Sequence, residues 1–419
     1  MRKCICLAAL CLLVACLAGA GETIRVLGGN AAYGDTLKIL VPQFEKDTGI
    51  KVQYEMYGEE QLTQKLTVEF TAGSSDIDVY MTRPLQEARL MKKNQWCADL
   101  TEYVKNDSDY DYDDIIPAAI DGVLIDGVLT SIPVVTESEM LFYRKDIFQE
   151  RGLKVPDTLA EMEELAKQLT DKPNEFYGFI SRGMRSPLVT QFSSFLYGFG
   201  SDWFDAKTRT SLIDTPDFLA AVDYYANMLK NYGPPGVTNM NWYQAEAIFQ
   251  QGKGAMYTDA SSHMPNMFDV KKSAIADKVG FALFPAGPKM RRTYFVTAWG
   301  LGMSSQSKKK DLAWKFIRYM SDKERSIQFQ GEYGNQSARK SSYETADGVK
   351  MFPEDYAKAI ADSIPYGVSY DRPQVTSVLE ARDMIGEVVV TAIEGGDFKS
   401  AAKRAHAKFQ ELLDREKDN

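Results

Sequence analysis

Residues 23–81 read TIRVLGGNAAYGDTLKILVPQFEKDTGIKVQYEMYGEEQLTQKLTVEFTAGSSDIDVYM, and their pattern decides the fold. Thr23-Ile-Arg-Val-Leu27 reads as a short strand and Gly28-Gly29-Asn30-Ala-Ala-Tyr33-Gly34 as the loop leaving it. Asp35 is expected to cap a helix whose Leu37, Leu40, Val41 and Phe44 recur on one face and which Thr48-Gly49 ends. Ile50, Val52, Tyr54 and Met56 alternate as a strand does. Gly58-Glu59 turns the chain into a second helical stripe, Leu62, Leu66 and Phe70, which stops at Gly73; Ile77, Val79 and Met81 make a third strand. Strand, helix, strand, helix, strand with short connections predicts an α/β, doubly wound parallel sheet, because right-handed crossovers lay the helices over the sheet faces. In such sheets ligands bind beyond the carboxyl ends of the strands, here Gly29 and Asn30, Gly58 and Glu59, then Thr82, Arg83 and Pro84.

Further along, Thr158 followed by Glu161 starts a helix running to about Asp171. Thr215-Pro216 starts another, with Leu219, Val222, Ala226 and Leu229 on one face and Gly233 at its end. Residues 254–258, 279–283 and 294–299 read as strands; residues 313–320 and the C-terminal stretch read as helices. The middle of the chain is therefore a mostly helical second lobe.

Arg2, Lys3 and the apolar run Ile5 to Ala15 form an export signal, too short to span a bilayer. Two cleavage readings stand. Leu13-Val14-Ala15-Cys16 resembles a lipobox and would leave a lipidated Cys16 on an extracytoplasmic membrane face; Ala18-Gly19-Ala20 fits ordinary signal peptidase and would remove residues 1–20, releasing a periplasmic protein. Four of the five cysteines fall in this segment, leaving Cys97, so the core and not a disulfide must hold the fold. At 44% hydrophobic over 419 residues that core is large and naturally split over two lobes. A formal charge of −9 with both signs interspersed argues against nucleic acid or an anionic membrane surface as the main partner. Five Trp and 22 Tyr supply faces for stacking on sugar rings, although core packing accounts for most of them.

Other motifs fail on inspection. Asp109 to Asp114 has the opening spacing of a calcium loop, but Asp114 and Ile120 stand where such loops need Gly and Glu, so it reads as a solvated acidic loop. With only His263 and His406 available, a His-based zinc site or a Ser-His-Asp triad has almost no material. No P-loop or dinucleotide fingerprint is present, and no metal, cofactor or catalytic residue is assigned. Paired carboxylates for glycoside hydrolysis stay open.

Several segments, in shared order, resemble the carbohydrate-type extracellular solute-binding proteins of ABC importers, the group that includes maltose-binding protein. They are Phe44 to Val52, Asp99 to Tyr103, Ile132 to Asp146, Asn231 to Gly236, Phe249 to Met256, Phe284 to Pro288, and Trp299 to Met303 followed by Ala313 to Ile317. The resemblance implies a periplasmic binding protein-like fold of type II, two doubly wound lobes joined by three crossings, near Ser138 to Tyr143, Leu283 to Gly287 and Gly334 to Lys340. Residues 22–138 and 288–338 would form one lobe, 139–287 and 339–419 the other. It further implies a monomer that binds a sugar or polyol and delivers it to ABC permease membrane subunits.

A sugar needs donors and acceptors for its hydroxyls and aromatic faces for its rings. At strand ends, Asn30, Tyr33, Glu59 and Arg83 meet that need. The resemblance adds Glu137 after Ile132-Pro133, the aromatic Trp242, Asp259 and Ser261 on leaving a strand, and Trp299 near the closing face. Trp203 at the cleft rim and Arg339 at the last crossing complete the set. The leading reading is non-enzymatic capture; the alternatives are a secreted glycoside-processing enzyme and a solute-sensing lipoprotein.

Overall fold

The computed structural model describes residues 22–417; the export signal, both cleavage readings and Cys16 lie outside these residues. The opening stretch folds as β1 (Thr23–Gly29), α1 (Ala32–Thr48), β2 (Lys51–Tyr57), α2 (Glu59–Thr71), β3 (Val79–Thr82) and α3 (Pro84–Lys93). β1 pairs in parallel with both β2 and β3. Gly49 ends α1 in the left-handed region at φ 73°. Asp35 does not cap that helix: Ala31 is the extended residue at its start, which leaves Asp35 in the first turn, where a carboxylate meets the positive end of the helix dipole.

Apart from a short hairpin of Leu124–Ile125 with Val128–Leu129, the remaining strands are β4 (Ile132–Arg144), β5 (Tyr177–Ile180), β6 (Gly254–Ala260), β7 (Val279–Leu283), β8 (Thr293–Met303) and β9 (Gly367–Val368). Nine strands form one sheet of order β2-β1-β3-β8-β4-β6-β5, with β7 also on β4 and β9 on β8. The sheet is mixed, not purely parallel, because β8 runs antiparallel to both β3 and β4.

Two long strands join the lobes. β4 pairs with β8 through Ser138 and with β6 and β7 from Glu139 onward. The apolar core divides correspondingly. One cluster holds Ile24, Leu37, Phe44, Val135, Trp299 and Phe316; others hold Leu141, Phe192, Tyr225 and Phe409, or Phe142, Tyr257, Phe295 and Tyr356. Phe295 and Trp299, both on β8, thus belong to different clusters, so the chain changes core inside that strand; ahead of it, Ala286 bridges to Thr158.

The second lobe is helical as read: α4 (Leu159–Leu169), α5 (Leu188–Gly198), α6 (Pro216–Tyr232), α7 (Trp242–Gln250), α8 (Val378–Ile393) and α9 (Phe398–Lys417). The acidic stretch is only partly solvated. Asp114 accepts from Ser341 Oγ at 2.7 Å and pairs with Arg339 at 3.3 Å, which pins residues 111–114 to the segment after β8.

Candidate functional site

A cavity of about 500 Å³ opens where α1, α2 and α3 begin, beyond the carboxyl ends of β1, β2 and β3, and is walled on its other side by residues of the second lobe. Topology puts it there: each parallel strand hands the chain to a helix at that edge, so loop residues and helix starts converge on it.

On the first-lobe side Arg83, the residue before α3, donates to Glu59 at 2.9 Å and Thr63 Oγ1 at 2.7 Å and pairs with Glu87 at 3.3 Å. Glu87 is itself held by Thr82 and by the Arg83 backbone N–H. Arg83 is therefore a fixed fork with carboxylates on two sides.

On the second-lobe side Arg182 lies two residues past β5. Its Nε donates to Asp259 Oδ2 at 3.0 Å, and a second contact joins Nη2 to Oδ1. Asp259 is fully buried and also accepts from Gln191 at 2.9 Å and from the Ala260 N–H at 2.7 Å. Burial acts to raise this carboxyl, but Arg182 and His263 beside it hold it below the usual carboxylate range. Glu137, at the junction on β4, accepts from Ser262 Oγ at 2.8 Å; burial pushes its carboxyl up against that hydrogen bond.

Two indoles supply flat apolar area. Trp299 packs so closely on Gly29 that a Cβ there would stand 2.7 Å from the ring, so Gly29 is the residue that admits the indole. Trp242, the first residue of α7, stacks on Tyr243 and lies 5.0 Å from the His263 ring.

Of the residues chosen from sequence, the structure brings Tyr33, Glu59, Arg83, Glu137, Trp242 and Trp299 to the cavity wall. Tyr33 does so with its hydroxyl committed to Met320 O at 3.0 Å. Five others are not on the wall. Asn30 is exposed where β1 ends, beyond the lining residues. Trp203 is 1% exposed among Phe192 and Tyr197, because its large ring is absorbed by the second-lobe core. Asp259 stands behind Arg182 and orients it. Ser261 binds Gln336 at 2.5 Å and the Ser138 N–H at 3.0 Å, tying strand junctions together. Arg339 stacks on Tyr110 and donates to Ser321 O, Asp111 O and Tyr110 O, a buried brace that ties the last crossing to the first lobe.

The reading from sequence missed Arg182, Tyr243, His263, Arg372 and Arg382. The strand-end rule that found Arg83 would have found Arg182, had residues 177–180 been read as a strand. Arg372 and Arg382 carry no local signal, since only docking of the C-terminal segment brings them to the wall.

A family model described as bacterial extracellular solute-binding protein matches residues 28–325. The chain is 29% identical to the mannitol-binding protein of Pseudomonas aeruginosa over 319 residues, 75% of this chain and 72% of that one. It is 26% identical over 324 residues to the erythritol/L-threitol-binding protein of Mycolicibacterium smegmatis, 73% and 67% of the two chains. Among solved structures, an ABC transporter solute-binding protein from Agrobacterium radiobacter in complex with ribitol superposes with a TM-score of 0.85 at 26% identity, covering 94% of this chain and 99% of that one. One from Agrobacterium vitis with bound D-mannitol gives 0.80 at 28% identity, covering 95% and 99%.

Proposed function

The chain belongs to the bacterial extracellular solute-binding protein family, and from that premise we propose that it is the capture subunit of an ABC importer. It takes a sugar or polyol between its lobes outside the cytoplasmic membrane and passes it unaltered to the permease subunits. The observation that carries this reading is the make-up of one cleft, where guanidiniums, carboxylates and two indoles from both lobes face about 500 Å³. Each hydroxyl of a polyol needs a donor and an acceptor, and each carbon face an apolar surface, and this wall supplies all three. The cavity is of ordinary small-ligand size. The similar proteins named for mannitol and erythritol, and the similar structures holding ribitol and D-mannitol, favour a short polyol over a long oligosaccharide.

Glu59 and Glu137 are engaged with Arg83 and Ser262, an arrangement that suits solute binding better than proton transfer to a glycosidic oxygen. The lobes are taken as read from sequence, residues 22–138 and 288–338 against 139–287 and 339–419; the change of core within β8 favours a second crossing a few residues beyond Leu283 to Gly287, which would carry residues 288–295 to the second lobe. The chain acts as a monomer, held at the membrane through Cys16 or released after residue 20.

The test is thermal unfolding and Trp fluorescence of the folded chain against four- to six-carbon alditols and simple sugars. A true ligand at a hundredfold excess over its Kd stabilises the fold by about 2.7 kcal/mol and perturbs Trp242 and Trp299. Silence toward the whole panel contradicts the reading, and release of reducing sugar from oligosaccharides would favour an enzyme instead.

A further inference from the structure

Arg372 and Arg382 stand side by side on the second-lobe wall of the cleft. Their Nη1 groups donate to the same atom, Gln86 Oε1, each at 3.1 Å, and their Nη2 groups to the same Thr190 Oγ1, each at 3.3 Å. Two cations thus share two neutral acceptors. One carboxylate serves them, and it is spent on one of the two: fully buried Asp371 accepts from Arg372 Nε at 2.6 Å and Nη2 at 2.5 Å. The Nε of Arg382 goes to Ser186 O at 3.1 Å, and among the described residues no carboxylate forms an ion pair with this guanidinium, which is 9% exposed.

Like charge accumulates around it. Burial, then Arg372, Arg182 and Arg83, push the Arg382 guanidinium well below its ordinary value, with Asp371 opposing them. Because a guanidinium holds its proton far above neutral pH, an added anion relieves this strain better than proton loss does. The opposite wall has no such surplus, since Arg83 is met by Glu59 and Glu87. One guanidinium without a carboxylate of its own therefore sits at one end of the cleft, away from the carboxylates of the first-lobe wall.

We propose that Arg372 and Arg382 form an anion subsite and that the solute is a polyhydroxy monocarboxylate, a sugar or polyol bearing one carboxylate. This rests on the solute-binding reading above and narrows it. A carboxylate matches the pair in charge and in shape: its two coplanar oxygens suit the planar guanidinium fork, and its single charge balances the single surplus. A phosphate ester would bring close to two charges against that one.

Calorimetric titration of the folded chain with D-mannitol, D-gluconate, D-glucuronate and mannitol 1-phosphate tests this. An added charge-assisted contact is worth about 1.5–3 kcal/mol, or roughly 10- to 100-fold in Kd, so gluconate should bind at least tenfold more tightly than mannitol. Arg382→Gln should bring that ratio toward one, and Arg382→Lys, which keeps the charge, should restore much of it. Mannitol binding as tightly as gluconate, or a ratio untouched by Arg382→Gln, overturns the subsite while leaving the solute-binding reading in place. Tighter binding of the phosphate ester overturns the monocarboxylate assignment. Silence toward all four, together with silence toward the neutral panel, overturns both.

Discussion

Glu139 lies two residues past Glu137 on β4, with both carboxylate oxygens buried and lacking hydrogen-bond partners among the described residues. Burial pushes its carboxyl well above the usual range, with Arg182 opposing and Asp259 and Asp371 adding to the shift. The folded state keeps a proton that the unfolded chain releases above about pH 4.3. Its contribution to stability is therefore complete below that pH and declines as pH rises toward the folded-state value, by up to about 1.4 kcal/mol per pH unit. Urea unfolding of Glu139→Gln should match the wild type near pH 4 and show the variant more stable near pH 7; a constant difference across that range contradicts the assignment. Asp259 makes a second test. Removing it strands Arg182 in the wall, so Asp259→Ala should cost about 3–5 kcal/mol in the same assay, since breaking a buried pair leaves an uncompensated charge. A loss below about 1 kcal/mol would show that the pair is not the brace described. At this scale the sequence points to Asp259 as a solute contact, while the structure pairs it with Arg182 and leaves it off the cavity lining. Asp259 lies at the end of its strand beside the cleft, but which of the two paired groups lines the cavity depends on how Arg182 and Asp259 meet across two strands, which sequence alone does not encode.

Among the elements, α4 shows how local chemistry fixes a boundary. Thr158 Oγ1 accepts from the Glu161 N–H at 3.2 Å, and Glu161 Oε2 accepts from the Thr158 N–H at 3.1 Å. Thr158→Ala should therefore lower stability by about 1 kcal/mol without changing solute affinity, because α4 contributes nothing to the cleft wall. Chemical denaturation and a ligand titration on the same variant check this, and a weakened affinity would contradict it. Such capping pairs and the apolar stripes of α1, α2 and α6 were legible because their cause lies within a few residues. The direction of β8 was not: alternation predicts a strand, whereas its antiparallel insertion between β3 and β4 follows from a return across the lobes. Gly29 is intermediate. Read as loop, it is the last residue of β1, and its need to lack a side chain comes from Trp299, far away in sequence.

For the whole molecule, the resemblance carried the two-lobe plan, and β4 and β8 realise it as continuous strands between separate cores. Among the described residues, polar contacts link the lobes along the cleft: Gln86 accepts from Arg372 and Arg382, and Arg89 donates to Gln374 at 3.0 Å. Polar contacts of this kind are easily exchanged for water, so the solute must supply the energy that favours closure by touching both walls at once. Small-angle X-ray scattering with and without saturating solute tests that claim most directly. Capture between hinged lobes predicts a smaller radius of gyration and a shorter maximum dimension in the bound state; scattering curves that superpose while the solute is demonstrably bound would contradict it.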